Sequence, residues 1–186
     1  MNKKLWIILA VVVVLVIYGF STYNRLVSAS EAIDGQWAQV ETQYQRRFDL
    51  IPNLVSSVKG IFKQEDKVFG EIADARTRYS GANSVNEKAK AASDVEGALG
   101  RLLVIVESYP QLQSSQTVQT LMAQLEGTEN RISIERSRFN DAVRSYNLSV
   151  KRFPSSVIAS ISNFTERNYF EAAKGAENAP NVNLDY

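Results

Sequence analysis

The chain has no histidine and no cysteine, and it has only four prolines and nine glycines. Without imidazole or thiol it can build no Ser-His or Cys-His nucleophilic pair, no thiolate or imidazole zinc site, no covalent haem attachment, no Glu-x-x-His di-iron ligand set and no disulfide. The glycines are scattered, and none falls in a G-x-G-x-x-G or P-loop pattern that would cradle a phosphate. Carboxylates, lysines and Ser-Lys pairs remain as available acids, bases and nucleophiles. The closest acids do not converge: Glu65 and Asp66 point to different sides of a helix, and Glu126 with Glu129 fits a solvated face. The expectation is a protein that is not an enzyme, with no catalytic residues, no metal and no cofactor.

An excess of one charge is missing too. The chain carries 21 basic and 20 acidic residues, and beyond residue 24 the balance is 19 to 20. No basic run or stripe is present to neutralise phosphates, so nucleic acid is not an expected partner. Few breakers among widely spaced apolar residues favour helices over a turn-rich β fold, and the length suits one domain.

What is present begins with a long uncharged run. Residues 5–23 hold no charge and follow Lys3 and Lys4 directly. As a helix this run extends ~28 Å, close to the hydrocarbon thickness of a bilayer. A cleaved signal peptide is the rival reading, but the nearest small-x-small site, Val27-Ser28-Ala29, lies far beyond Ile17, and Tyr18, Phe20 and Tyr23 fill the interval. Trp6 at one end and Tyr18 and Tyr23 at the other suit the two membrane interfaces. The lysine pair favours a cytoplasmic N-terminus, which puts the rest of the chain outside the cytoplasm. The expected organisation is a short cytoplasmic N-terminus at 1–4, a transmembrane signal anchor at 5–23, a helical bundle at 24–170 and a polar tail at 171–186.

From Ile33 the large residues recur at steps of four and three through Trp37, Val40, Tyr44, Ile51, Leu54, Val58, Ile61, Val68, Ile72 and Ala75 to Tyr79, a near-heptad helical stripe. Pro52 lies inside it, with Asp49 placed to cap a restarted helix, so a kink or brief interruption is expected near 49–52 within one long helix. Ser84-Val85-Asn86-Glu87 has capping-box spacing and opens a second helix, with Ala92, Val95, Leu99, Leu102, Leu103 and Val106 on its stripe, ending before Pro110. A third should start at Ser114 or Ser115, carry Val118, Leu121, Leu125, Ile132, Phe139, Val143, Tyr146 and Val150, and run to about Phe153. Pro154 then opens a short amphipathic segment with Val157, Ile158, Ile161 and Phe164. The fold expected is all-α: an antiparallel bundle of three to four long helices, the first kinked near Pro52, behind one N-terminal transmembrane helix.

Three charges fall in slots of the apolar stripes: Arg47 and Glu65 in the first helix and Glu135 in the third. Charges are rarely buried unless paired. One reading leaves Arg46 or Arg47 at the bundle edge, the stem on Tyr44 and Ile51 and the head in water. The other sets Arg46, Arg47 and Asp49 against Glu126, Asn130 and Arg131 as an interhelical ion pair or a ligand-binding polar cluster, with Arg47 and Glu126 as the pair. Trp37 and Tyr44 read as core aromatics.

The same stretches resemble the LemA family. The strings are Trp37-Ala38-Gln39-Val40-Glu41 leading into Arg46-Arg47-Phe48-Asp49-Leu50-Ile51-Pro52-Asn53-Leu54-Val55, then Gln124-Leu125-Glu126-Gly127-Thr128-Glu129-Asn130-Arg131-Ile132, then Arg138-Phe139-Asn140-Asp141-Ala142-Val143 and Tyr146-Asn147. Tyr109-Pro110, Phe153-Pro154, Tyr169-Phe170 and Ala179-Pro180-Asn181-Val182 extend the likeness nearly to the C-terminus. The family often has tyrosine where this chain has Phe139, which puts one hydroxyl contact in doubt. The resemblance implies a bacterial membrane-anchored helical bundle, and it supplies no catalytic residues. It makes Arg46, Arg47, Asp49 and Asn53, with Glu126, Asn130 and Arg131, candidates for a shared polar network. The functional expectation is an interaction or assembly module of the cell envelope, in contact with the lipid bilayer through residues 5–23 and with a protein partner or a second copy of itself. The alternative is a tethered module that binds a small ligand or peptide in a pocket rimmed by Arg47, Asp49 and Glu126.

Overall fold

A computed structural model describes residues 3–59 and 66–170. Six helices occupy them: α1 (Lys3–Lys59), α2 (Asp66–Gly81), α3 (Val85–Glu107), α4 (Pro110–Gln113), α5 (Gln116–Lys151) and α6 (Ser155–Ile161), and no strand occurs among the described residues. The fold is an all-α bundle whose long helices run antiparallel to their chain neighbours, with one long apolar helix at the N-terminus. Ile61 and Glu65 of the expected stripe, and the polar tail 171–186, lie outside the described residues.

Two compact units divide the described residues, one built from residues 3–40 and 134–169, the other from 41–59, 66–133 and 170. In the second unit the last turns of α1 pack with α2, α3 and the first half of α5. Tyr44, Phe48, Ile51, Leu54 and Val58 of α1, Val68, Ile72 and Ala75 of α2, Val95, Leu99, Leu102 and Val106 of α3, and Val118, Leu121 and Leu125 of α5 are buried. The pairs Arg78–Asp94 (3.2 Å) and Arg101–Glu71 (2.6 Å) set α2 and α3 antiparallel, while Lys88–Glu41 and Arg47–Glu96 set α1 and α3 parallel.

The expectation of one helix reaching from Ile33 to Tyr79 is corrected here. The Tyr79 ring lies 4.7 Å from that of Phe48 and 5.5 Å from that of Tyr44. In a continuous helix Phe48 and Tyr79 would stand ~46 Å apart. The stripe therefore belongs to two antiparallel helices whose apolar spacing happens to stay in phase. Pro52 lies inside α1, and the helix runs through it without the interruption allowed for at 49–52.

The expected capping box at the start of α3 is present in full. The Glu87 amide donates to Ser84 Oγ at 3.2 Å, and Glu87 Oε2 accepts from the backbone of Asn83 and Ser84. These amides hold the Glu87 carboxyl below its ordinary range. After α3 the chain makes the short helix α4, with Pro110 in its first turn, before α5.

In the first unit the N-terminal part of α1 lies antiparallel to the second half of α5. Leu26, Ile33, Trp37 and Val40 of α1 and Phe139, Val143 and Tyr146 of α5 form its core, with the Trp37 and Phe139 rings edge to face at 5.5 Å. Gln36 Nε2 donates to Glu135 (2.7 Å), which also accepts from Arg138 (2.8 Å). This half-buried carboxylate explains how Glu135 occupies a stripe slot.

Candidate functional site

Of the seven residues singled out from sequence, Arg47 alone is buried. It is 4% exposed, in the slot between Tyr44 and Ile51 on the inner face of α1. Its Nε donates to Thr128 Oγ1 on α5 (3.3 Å), its Nη1 to Glu96 on α3 (3.4 Å), and its Nη2 to Glu129 on α5. Thr128, itself buried, donates its own hydroxyl hydrogen bond to the Leu125 carbonyl (2.7 Å). The guanidinium thus ties three helices at one level, where the stem packs like a core residue and the fork meets two carboxylates. The pairing expected between Arg47 and Glu126 is replaced by Glu129 and Glu96. Glu126 is exposed on the other flank of the α5 stripe. Which flank a cation reaches depends on how the helices are rotated, and residue spacing does not encode that.

Arg46, Asp49, Asn53, Asn130 and Arg131 are likewise exposed. Asp49 accepts from Gln45 within its own helix (2.8 Å). Arg46 and Arg131 are brought together by α1 and α5: with Leu50, Ala123, Gln124, Gly127 and Thr128 they line an open hollow of about 260 Å³. No carboxylate lines it. Arg47, Asp49 and Glu126 do not line it, and it forms a shallow basic hollow beside their positions.

Two features had no counterpart in the sequence reading. Tyr79, within the aromatic group of Tyr44 and Phe48, has a hydroxyl with no hydrogen-bond partner among the described residues. Burial, with the nearby Glu41 charge, pushes its phenol well above the ordinary value. The second is a strap formed by residues 162–169 on the first unit. Asn147, buried on α5, donates to the Arg167 carbonyl (2.8 Å) and accepts from the Arg167 amide (2.9 Å). Tyr146 donates to the Thr165 carbonyl (3.0 Å), Lys151 pairs with Glu166 (2.8 Å), and the Arg167 head reaches Ser30 and Asp34 of α1. Tyr146-Asn147 thus acts as a side-chain edge that reads backbone.

At the N-terminal end, the large apolar side chains from Leu5 to Ile17 are 48–64% exposed around the whole circumference of α1. α1 is long and apolar enough to cross a membrane. A helix apolar all round and uncovered by protein is matched to a hydrocarbon solvent.

An all-α protein with one candidate membrane helix and a packed helical domain beyond it is the class defined by these features. The family model described as LemA matches residues 36–184, and the chain belongs to the LemA family. It is similar to magnetosome proteins MamQ 2 and MamQ 1 of Paramagnetospirillum magneticum, each 30% identical over 175 residues, covering 80% of this chain and 64% of the relative. It is 29% identical over 174 residues to magnetosome protein MamQ of Magnetospirillum gryphiswaldense, again covering 80% of this chain and 64% of the relative. The chain thus spans just under two thirds of these relatives' length.

Proposed function

We propose that this chain is a non-enzymatic, single-pass anchored scaffold of the cell envelope, which holds a helical domain at the membrane for interaction with other proteins or with copies of itself. The observation that carries the reading is that α1 is one unbroken helix: its uncovered apolar turns run directly into Leu26, Ile33 and Trp37, buried against α5. The span is thereby part of the domain's fold, and no flexible leader joins the two. Lys3 and Lys4 ahead of the span favour an N-terminus in the cytoplasm and a domain outside it. The relatives are named for a cellular body and not for a reaction, which favours a part in an assembly over catalysis.

A C-terminal reporter that works only outside the cytoplasm tests the orientation, and it should be active; activity of a cytoplasm-only reporter would contradict it. Crosslinking in intact cells followed by mass spectrometry tests the scaffold role. Repeated recovery of the same protein partner, or of crosslinked copies, is the expected result. A monomer crosslinked to nothing would count against it.

A second reading, a tethered module for a small anion, is favoured by the carboxylate-free hollow between Arg46 and Arg131. It requires that Arg46→Ala and Arg131→Ala abolish anion binding by the full-length protein while its thermal stability is unchanged.

A further inference from the structure

From Phe153 to Thr165 the chain has no charged residue, thirteen positions in a protein of which 22% is charged. The middle of this stretch is α6, and its outward side is apolar: Val157 and Ile161, four residues apart on one face, are 48% and 75% exposed, and Phe153, in the turn just ahead of the helix, is 83% exposed. Soluble surfaces seldom show such a row uncovered. Its position explains it. The Ile158 side chain lies in ordinary contact distance of Gly19, 3.8 Å from where a Cβ would stand, so α6 lies against the uncharged span of α1.

Gly19 is one turn before Tyr23, ~6 Å of helix inside the last uncharged residues of the span. That is the depth at which an amphipathic helix rests between headgroups and acyl chains. The local chain is built to keep α6 there. Asn163 adopts a left-handed conformation (φ 58°), and the Phe164 amide bonds to the Ala159 carbonyl (2.9 Å), which ends the helix in a Schellman turn. The turn delivers Phe164 onto Tyr23, with ring centroids 5.7 Å apart. The strap then leads away along α1, held by Tyr146 and Asn147. Around this level Tyr18, Phe20 and Tyr23 are also exposed, an aromatic group suited to a membrane interface. Arg152, exposed just ahead of the stretch, is a cation placed where headgroup phosphates would lie.

We propose that α6, with Phe153, is an interfacial membrane helix: it lies in the headgroup boundary of the leaflet facing the helical domain, beside the exit of the span, and inserts Phe153, Val157 and Ile161 among the acyl chains. The occupant of this apolar face is the bilayer itself, continuous with the lipid around α1. The inference rests on the reading of residues 5–23 as a transmembrane span, and the test separates the two.

Because the chain has no cysteine, single substitutions give unique labelling sites. Full-length protein carrying Val157→Cys, Ile161→Cys, Val12→Cys or Ser145→Cys would be spin-labelled and reconstituted in vesicles of phosphatidylcholine with phosphatidylglycerol. Collision of each label with oxygen, which partitions into lipid, is compared with collision with a water-soluble nickel chelate. The oxygen-to-nickel ratio at positions 157 and 161 should exceed that at 145 severalfold and approach that at 12. A ratio at 157 and 161 equal to that at 145, with 12 still in lipid, would overturn the interfacial helix and leave the anchor standing. An aqueous ratio at position 12 would overturn the anchor, and the proposal with it. Labels at 157 and 161 immobile and shielded from both reagents would mean that protein covers the face, which also overturns it.

Discussion

Arg47 is held by acids that are themselves partly in water, and this asymmetry decides what each substitution does. The side chains of Glu96 and Glu129 are 23% and 49% exposed, against 5% for Arg47. Replacing both acids, Glu96→Gln with Glu129→Gln, strands a buried guanidinium and should cost about 3 kcal/mol or more. Arg47→Met keeps the packed stem and leaves two carboxylates that can turn to solvent, so its cost should be about 1 kcal/mol or less. Glu126→Ala should stay within ~0.5 kcal/mol, as for an exposed surface position. Chemical unfolding of the full chain in detergent checks all three, and equal losses at Glu126 and at the Glu96-Glu129 pair would contradict the assigned network. Tyr79 offers the converse case: Tyr79→Phe removes a hydroxyl without a partner among the described residues, so stability should hold or rise by up to ~1 kcal/mol. The sign of its pH effect follows from the raised phenol. Folding favours the neutral form, so its contribution is full below the unfolded phenol's value and is lost as pH rises toward the folded one. Loss of that alkaline slope in Tyr79→Phe, seen in melts across alkaline pH, is the expected outcome.

Elements differ in how plainly the sequence announced them. The capping box was legible because both partners are local, three residues apart, and the stripes of α3 and α5 were legible because burial repeats with the helix. The end of α1 was not, since two antiparallel helices can carry stripes in one phase. The strap was illegible for another reason: Asn147 binds the backbone of Arg167, twenty residues on, and a bond to backbone leaves no pattern of residue types. Asn147→Leu should leave the Arg167 amide and carbonyl without partners and cost ~1–3 kcal/mol, with protection from hydrogen exchange lost first at residues 165–169. Ser84→Ala should cost ~1 kcal/mol through the cap of α3. Glu87 adds a pH signature. Its lowered carboxyl contributes above the unfolded carboxylate range and loses that contribution as pH falls through the folded value, so Glu87→Gln should flatten the acid limb of the stability profile. In α1, Pro52→Ala restores a backbone donor inside a continuous helix, and thermal melts should show helicity unchanged and stability equal or higher.

At the scale of the whole molecule, a helix that is apolar all round continues into a domain whose charges are balanced and whose cores are packed by helix stripes. The bundle class could be read from periodicity and the scarcity of breakers, while the three-helix ligation of Arg47 required the packing itself. The central claim is that residues 5–23 remain part of the mature protein and cross the bilayer. The most direct measurement is alkaline carbonate extraction of cell membranes followed by intact mass and N-terminal sequencing of the retained chain. The account predicts a full-length protein in the membrane pellet, with its N-terminus ahead of Lys3. A carbonate-soluble protein, or one beginning near Ser30, would contradict it.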